Sequence, residues 1–225
     1  MGWLYNQEYC YVNSDAGRME ALADYLPVED VAAVSWQQRD GRLYIFFRCG
    51  GEENIYGVME LRRGGNGRYR ALRVQWEPSA YRAGVYGGEL PRRKNRKTLF
   101  YLAGYDCREI FSAELHFDVY DSSGASREAA LMLPLEEPDF LTLYEYSEFA
   151  ALLGLQDEPA MLRLTETRLL DADDSDVTAV YRSAEEPASW SGSRTTVELG
   201  LVYVLMGVAA ALGGALLRYI LRRDE

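Results

Sequence analysis

The chain has 225 residues, of which 48% are apolar and 26% charged, a balance that excludes a disordered or low-complexity polymer. A net charge of −11 argues against broad nucleic-acid binding, since a polyanion repels such a surface unless a basic patch is segregated. Cys10, Cys49 and Cys107 form no CxxC pair and are odd in number, so neither a zinc site nor a disulfide framework is expected, and at most one disulfide closes within the chain.

Asn13, Ser14 and Asp15 offer capping oxygens, after which Met19, Leu22 and Leu26 share one helical face as far as Pro27; a short amphipathic helix is expected over 14–26. The period then becomes strand-like. Runs at 31–38, 42–49, 55–62 and 68–76 are separated by Asp40-Gly41, Gly50-Gly51 and Gly64-Gly65-Asn66-Gly67, which supply the positive φ of tight hairpins. Connections this short exclude parallel crossovers, so the four runs predict an antiparallel meander.

Residues 78–97 read as a long connection that ends in a basic run, Arg92, Arg93, Lys94, Arg96 and Lys97. A second strand set is expected at 98–105, 109–120, 127–133 and 140–146, followed by a brief helix over 147–156. Residues 160–170 suit helix or strand equally, 177–182 read as a last strand, and 183–196 as a flexible tether.

From Leu199 to Leu217 there is no charge, Pro, Asn or Gln. At ~1.5 Å per residue this run is about 28 Å long, close to the hydrocarbon thickness of a bilayer, so the sequence predicts a transmembrane helix over 197–218 and a basic tail over 219–225. Gly200, Gly207, Ala211 and Gly214 share one face of it, where another helix, from a second copy or a partner, can approach closely. The expected fold class is therefore α+β and mostly antiparallel β. It comprises a short N-terminal helix, two β-meander sheets divided between 1–90 and 91–182, the tether and the transmembrane helix.

Two arguments bear on which side of the membrane the body lies. With Met1 as the start, residues 1–20 hold no apolar leader, and a span so near the end emerges only at termination, which places the body in the cytosol. Arg218, Arg222 and Arg223 beyond the span, against Arg182 and Arg194 before it, favour an exported body whose signal is missing.

Little chemistry is written in the rest. His116 is the lone histidine, and Glu114, His116 and Asp118 alternate onto one strand face, where two carboxylates beside an imidazole offer a metal-binding or hydrolytic set. The acidic stretch Asp171, Asp173, Asp174 and Asp176 resembles the start of a calcium loop, but Asp176 and Arg182 stand where such a loop needs Gly and Glu. No P-loop, GxGxxG, GxSxG or HExxH occurs, and no cofactor is expected. The functional expectation is a single-pass, membrane-anchored, non-catalytic interaction or accessory protein presenting a β-rich domain, its partners being the membrane and another protein rather than nucleic acid. The alternatives are a membrane-tethered metal-binding or hydrolytic domain on Glu114, His116 and Asp118, and a sensor of anionic lipid through Arg92, Arg93, Lys94, Arg96 and Lys97.

Overall fold

The computed structural model describes residues 2–26, 28, 30–50, 54–91, 98–155, 159–183, 191–196 and 199–223. Helices α1 (Gly2–Glu8) and α2 (Asp15–Tyr25) open the chain, and Ser14 Oγ caps α2 by accepting from the Gly17 N–H at 3.2 Å. Strands β1 (Val31–Arg39), β2 (Arg42–Cys49), β3 (Ile55–Arg63) and β4 (Tyr69–Pro78) follow as hairpins. Asp40 and Gly41 both have positive φ, 53° and 70°, which gives the β1–β2 turn a twist that matches its strands. Next come β5 (Gly84–Leu90), β6 (Leu99–Tyr105), β7 (Ser112–Tyr120), β8 (Ser126–Pro134), β9 (Phe140–Glu145), α3 (Tyr146–Leu152), β10 (Met161–Leu170), α4 (Thr178–Tyr181), β11 (Gly192–Thr195) and α5 (Gly200–Arg223).

The strands form three antiparallel sheets: a large one ordered β1-β2-β3-β4-β11, a middle one ordered β5-β6-β9 and an outer one ordered β10-β7-β8. Their residues interleave in four layers. Leu22 and Ala21 of α2 pack on Leu43, Ile45, Phe47 and Met59 of the large sheet. Tyr44, Phe46 and Val58, alternating onto its other face, meet Tyr86, Leu99 and Tyr101 of the middle sheet. Phe100 and Leu102, on the far side of the middle sheet, meet Leu115 and Phe117 of β7 together with Phe149 of α3. Strands β2 and β6 are thus covered on both faces and are buried almost throughout, whereas β7 alternates strictly because its outer face is wet. Gly57 allows the closest approach in the large sheet: a Cβ there would run into the Gln75 carbonyl and the Phe47 ring.

Several expectations are corrected. Instead of two meander sheets the described residues form three sheets, because β9 returns to pair with β6 and β10 with β7, leaving β8 on an edge. The connection over 78–97 contains β5, and the stretch expected as a last strand over 177–182 holds the short helix α4 (Thr178–Tyr181) instead. Within the tether, residues 192–195 are a strand on β4, while 184–190 fall outside the described residues.

The transmembrane helix is corrected as well: among the described residues, no helix is long and apolar enough to cross a membrane. Helix α5 runs on through Arg218 into the residues expected as a basic tail. Its first turn is tied to polar groups of the body, since the Tyr203 hydroxyl donates to Glu8 at 2.6 Å and the Leu199 N–H donates to the same carboxylate at 3.2 Å. What remains, Val204–Leu217, is fourteen residues, about 21 Å of helix, and seven of those residues are Gly or Ala. That falls short of a bilayer core of ~30 Å. A single-pass membrane protein is therefore not supported.

Candidate functional site

Two regions hold polar groups that the packing alone does not explain. The first is a cleft of about 630 Å³ at one end of the large and middle sheets, lined by Asp30, Arg48, Asn54, Arg82, Tyr105 and Arg182 among others. Arg48 lies on the face of β2 that carries Tyr44 and Phe46, so strand alternation drives a guanidinium between two sheets. It is 5% exposed, with its Cζ 5.4 Å and 5.3 Å from the rings of Tyr86 and Tyr105. Its Nη2 donates to Asn54 Oδ1 at 2.7 Å and to the carbonyls of Tyr81 at 2.9 Å and Arg82 at 3.4 Å. All three acceptors are neutral. Among the described residues, its Nη1 is buried with no hydrogen-bond partner.

The rim of the cleft is held by backbone pairing. Asn54, at φ 28°, donates from Nδ2 to the Ser79 carbonyl at 2.6 Å, which fixes the β4–β5 connection. Residues 80–82 then bond to the end of α4 and the residues just after it: Arg82 N–H donates to the Tyr181 carbonyl at 2.9 Å, and Ser183 N–H to the Ala80 carbonyl at 2.8 Å. Arg82 Nη2 donates to the Val180 carbonyl at 3.0 Å, whereas the Arg182 side chain is exposed and forms no ion pair among the described residues. Sequence reasoning did not bring these three arginines together. A signal existed for one of them: Arg48 is a charge inside an apolar strand, two residues from a buried Phe.

The second region is the joint that holds α5. Arg70, 3% exposed, pairs with Glu8, whose carboxylate also receives Tyr203 and the Leu199 N–H. Burial acts to raise the Glu8 pKa, but the bonds from Tyr203 and Leu199 and the Arg70 charge outweigh it and leave the pKa lowered. The bond to Glu8, then burial, pushes the Tyr203 hydroxyl up to about 12. Of the expected packing face, Gly200 and Gly207 are half-buried and flank Tyr203, while Ala211 and Gly214 are exposed.

The other expected sites are placed as follows. Glu114, His116 and Asp118 do share the outer face of β7. His116 Nε2 stands 3.3 Å from Glu114 Oε1 without hydrogen-bond alignment, and Arg168 Nη1 donates to Glu114 Oε2 at 3.3 Å. Asp118 lies in register with Arg163 and Glu128 on the neighbouring strands. Among the described residues, no three His, Cys, Asp or Glu side chains converge closely enough to hold a metal ion. Asp171 spends its Oδ1 on the N–H groups of Asp173 and Ser175, at 2.9 Å each, as a loop-forming turn does. Arg92, Arg93, Lys94, Arg96 and Lys97 lie outside the described residues.

Compared with protein-family models, with curated proteins and with solved structures, the chain matches none.

Proposed function

We propose that the chain is a non-catalytic interaction protein whose layered β body is presented on a dimer formed through α5. One observation carries the reading: Val204, Leu205, Val208, Leu212 and Leu216 of α5 are each more than half exposed. Elsewhere most large apolar side chains close into three clusters. A helix that is apolar on all sides is a buried element, and bare patches of this kind mark protein interfaces.

A second copy suits this surface. Gly213 and Gly214 have nothing within 4 Å of where a Cβ would stand, so another backbone can come close there. An isologous pair then covers both patches with one contact. Burying a Val or Leu fully contributes ~1.5–3 kcal/mol; five such side chains on each copy, half covered, give on the order of 10 kcal/mol. Association costs about 4–15 kcal/mol, so the balance describes a reversible dimer rather than a permanent one.

Sedimentation of the full chain between about 1 and 100 µM tests the proposal. The expected result is a monomer–dimer equilibrium that Leu205→Asp with Leu212→Asp shifts to monomer, with the far-UV circular dichroism unchanged. A wild-type chain that stays monomeric over that range overturns the reading.

A further inference from the structure

The arginine cleft does not depend on α5, and it has the features of a built anion site. Arg48 buries its guanidinium with only neutral acceptors among the described residues, and one of its N–H-bearing nitrogens, Nη1, has none of them. Buried charge is ordinarily paired with opposite charge, and a buried unpaired donor is rare enough to need a cause. The described residues lining the cleft supply three guanidiniums, from Arg48, Arg82 and Arg182, against one carboxylate, from Asp30. Their balance is +2, in a chain whose net charge is −11.

That excess selects the ligand. A phosphate monoester carries about −1.5 to −2 at pH 7 and presents oxygens that match guanidinium forks. A monocarboxylate leaves one cation unmatched. The volume of about 630 Å³ lies within the range of small-molecule sites and leaves room for an organic group beyond the phosphate. The Tyr86 and Tyr105 rings keep the Arg48 guanidinium in place, so it needs little ordering on binding.

We propose that this cleft binds the phosphate of a small phosphomonoester, with Arg48 as the fixed buried cation and Arg82 and Arg182 as the rim. Asp30 then opposes the ligand. It sits at φ 57°, a conformation that Asn tolerates as well as Asp, so its charge can be removed without backbone strain.

Calorimetric titration of the full chain with inorganic phosphate and with phenyl phosphate, using succinate as a comparison dianion, tests the proposal. Saturable binding of phenyl phosphate is expected, weakened about tenfold or more by Arg82→Gln and by Arg182→Gln. Asp30→Asn is expected to tighten binding severalfold, and Arg163→Gln on the outer sheet to leave it unchanged. Arg48→Met abolishes binding if that variant keeps the wild-type circular dichroism; if it does not fold, the rim variants and Asp30→Asn decide. The proposal is overturned by absence of saturation up to about 10 mM of either phosphate. It is equally overturned by a preference for succinate, by rim variants that bind like wild type, or by a loss in Arg163→Gln equal to theirs, which marks diffuse charge attraction.

Discussion

Gln37 Oε1 accepts a hydrogen bond from the backbone N–H of Leu143 at 2.9 Å, and two residues further on Arg39 Nη1 donates to the Leu143 carbonyl at 2.7 Å. Strand β1 is the edge of the large sheet and β9 the edge of the middle one. Side chains of one edge thus satisfy the backbone of the other, so the two strands cover each other without joining their sheets. Arg39 extends the clasp to Glu148 of α3, with Nη2 3.1 Å from both carboxylate oxygens.

Removing both side chains opens the β9 edge. Gln37→Ala with Arg39→Ala is expected to cost ~2 kcal/mol, counting about 1 kcal/mol for each backbone bond lost, and to lower Tm by roughly 4–8 °C. Light scattering on warming is expected to rise earlier than for wild type, because a bare strand edge recruits other chains. An unchanged Tm together with unchanged scattering removes the clasp as a stabilising feature.

Phe149 is fully buried where its ring meets Phe100 at 4.5 Å, Phe117 at 5.3 Å and Tyr144 at 5.3 Å. Phe149→Ala leaves a cavity between the middle and outer sheets and is expected to cost about 4 kcal/mol, or roughly 8–16 °C in Tm. Phe149→Leu, which refills most of that volume, is expected to lose less than half as much. Equal losses for the two variants contradict a cavity origin, and calorimetry distinguishes the cases.

The α5 joint should depend on pH at both ends. The Glu8 pKa is lowered in the folded chain from its ordinary 4.5, so its contribution is present above pH 4.5 and lost as pH falls through the folded value. The Tyr203 pKa is raised from 10 to about 12, so its contribution is complete below pH 10 and lost as pH rises through about 12. Amide exchange of residues 199–207, extrapolated to a common intrinsic rate, is expected to be slowest between these limits. In Glu8→Gln the acid-side dependence should disappear, and its persistence in that variant assigns it to another group.

The cysteines are expected to separate by reactivity. Burial pushes the Cys107 thiol up to about 12, and the side chain is 3% exposed; Cys49 is buried too. Burial also raises the Cys10 pKa, but that residue is partly accessible. Iodoacetamide at pH 8 should therefore modify Cys10 first, with Cys107 and Cys49 following only on unfolding. Mass spectrometry of native digests checks the order, and early labelling of Cys107 contradicts the packing around it.

The parts of this fold that were legible in sequence are those fixed by near neighbours. Asp40-Gly41 marks its hairpin because two consecutive positive φ values need that chemistry, and the runs beside it coincide with β1 and β2 almost to the residue. What was not legible depends on distant partners. Strand β5 looks like a loop because Gly84, Gly87 and Gly88 dilute it, yet those glycines make room for Leu169, Leu102 and Tyr101 of the strands around it. Strand β11 is a glycine and three polar residues, and it is a strand only because β4 offers an edge. Helix α5 reads as a membrane span until Tyr203 is seen bonded to Glu8, a pairing 195 residues apart. The arginine cleft escaped for the same reason: Arg48, Arg82 and Arg182 converge only once β2, the β4–β5 connection and α4 are assembled.

The pairing of β11 with β4 has a consequence for the order of assembly during synthesis. Gly192 follows its register partner Trp76 by 116 residues, and at ~5–20 residues per second a ribosome needs roughly 6–23 s to make that stretch. Throughout that interval the Arg73–Trp76 stretch of β4 lacks its partner on one side, and the Trp76 ring has no Gly192 backbone against it. The nascent chain therefore passes through a stage in which β1–β4 stand together without β11, and a strand made more than a hundred residues later closes the sheet they began.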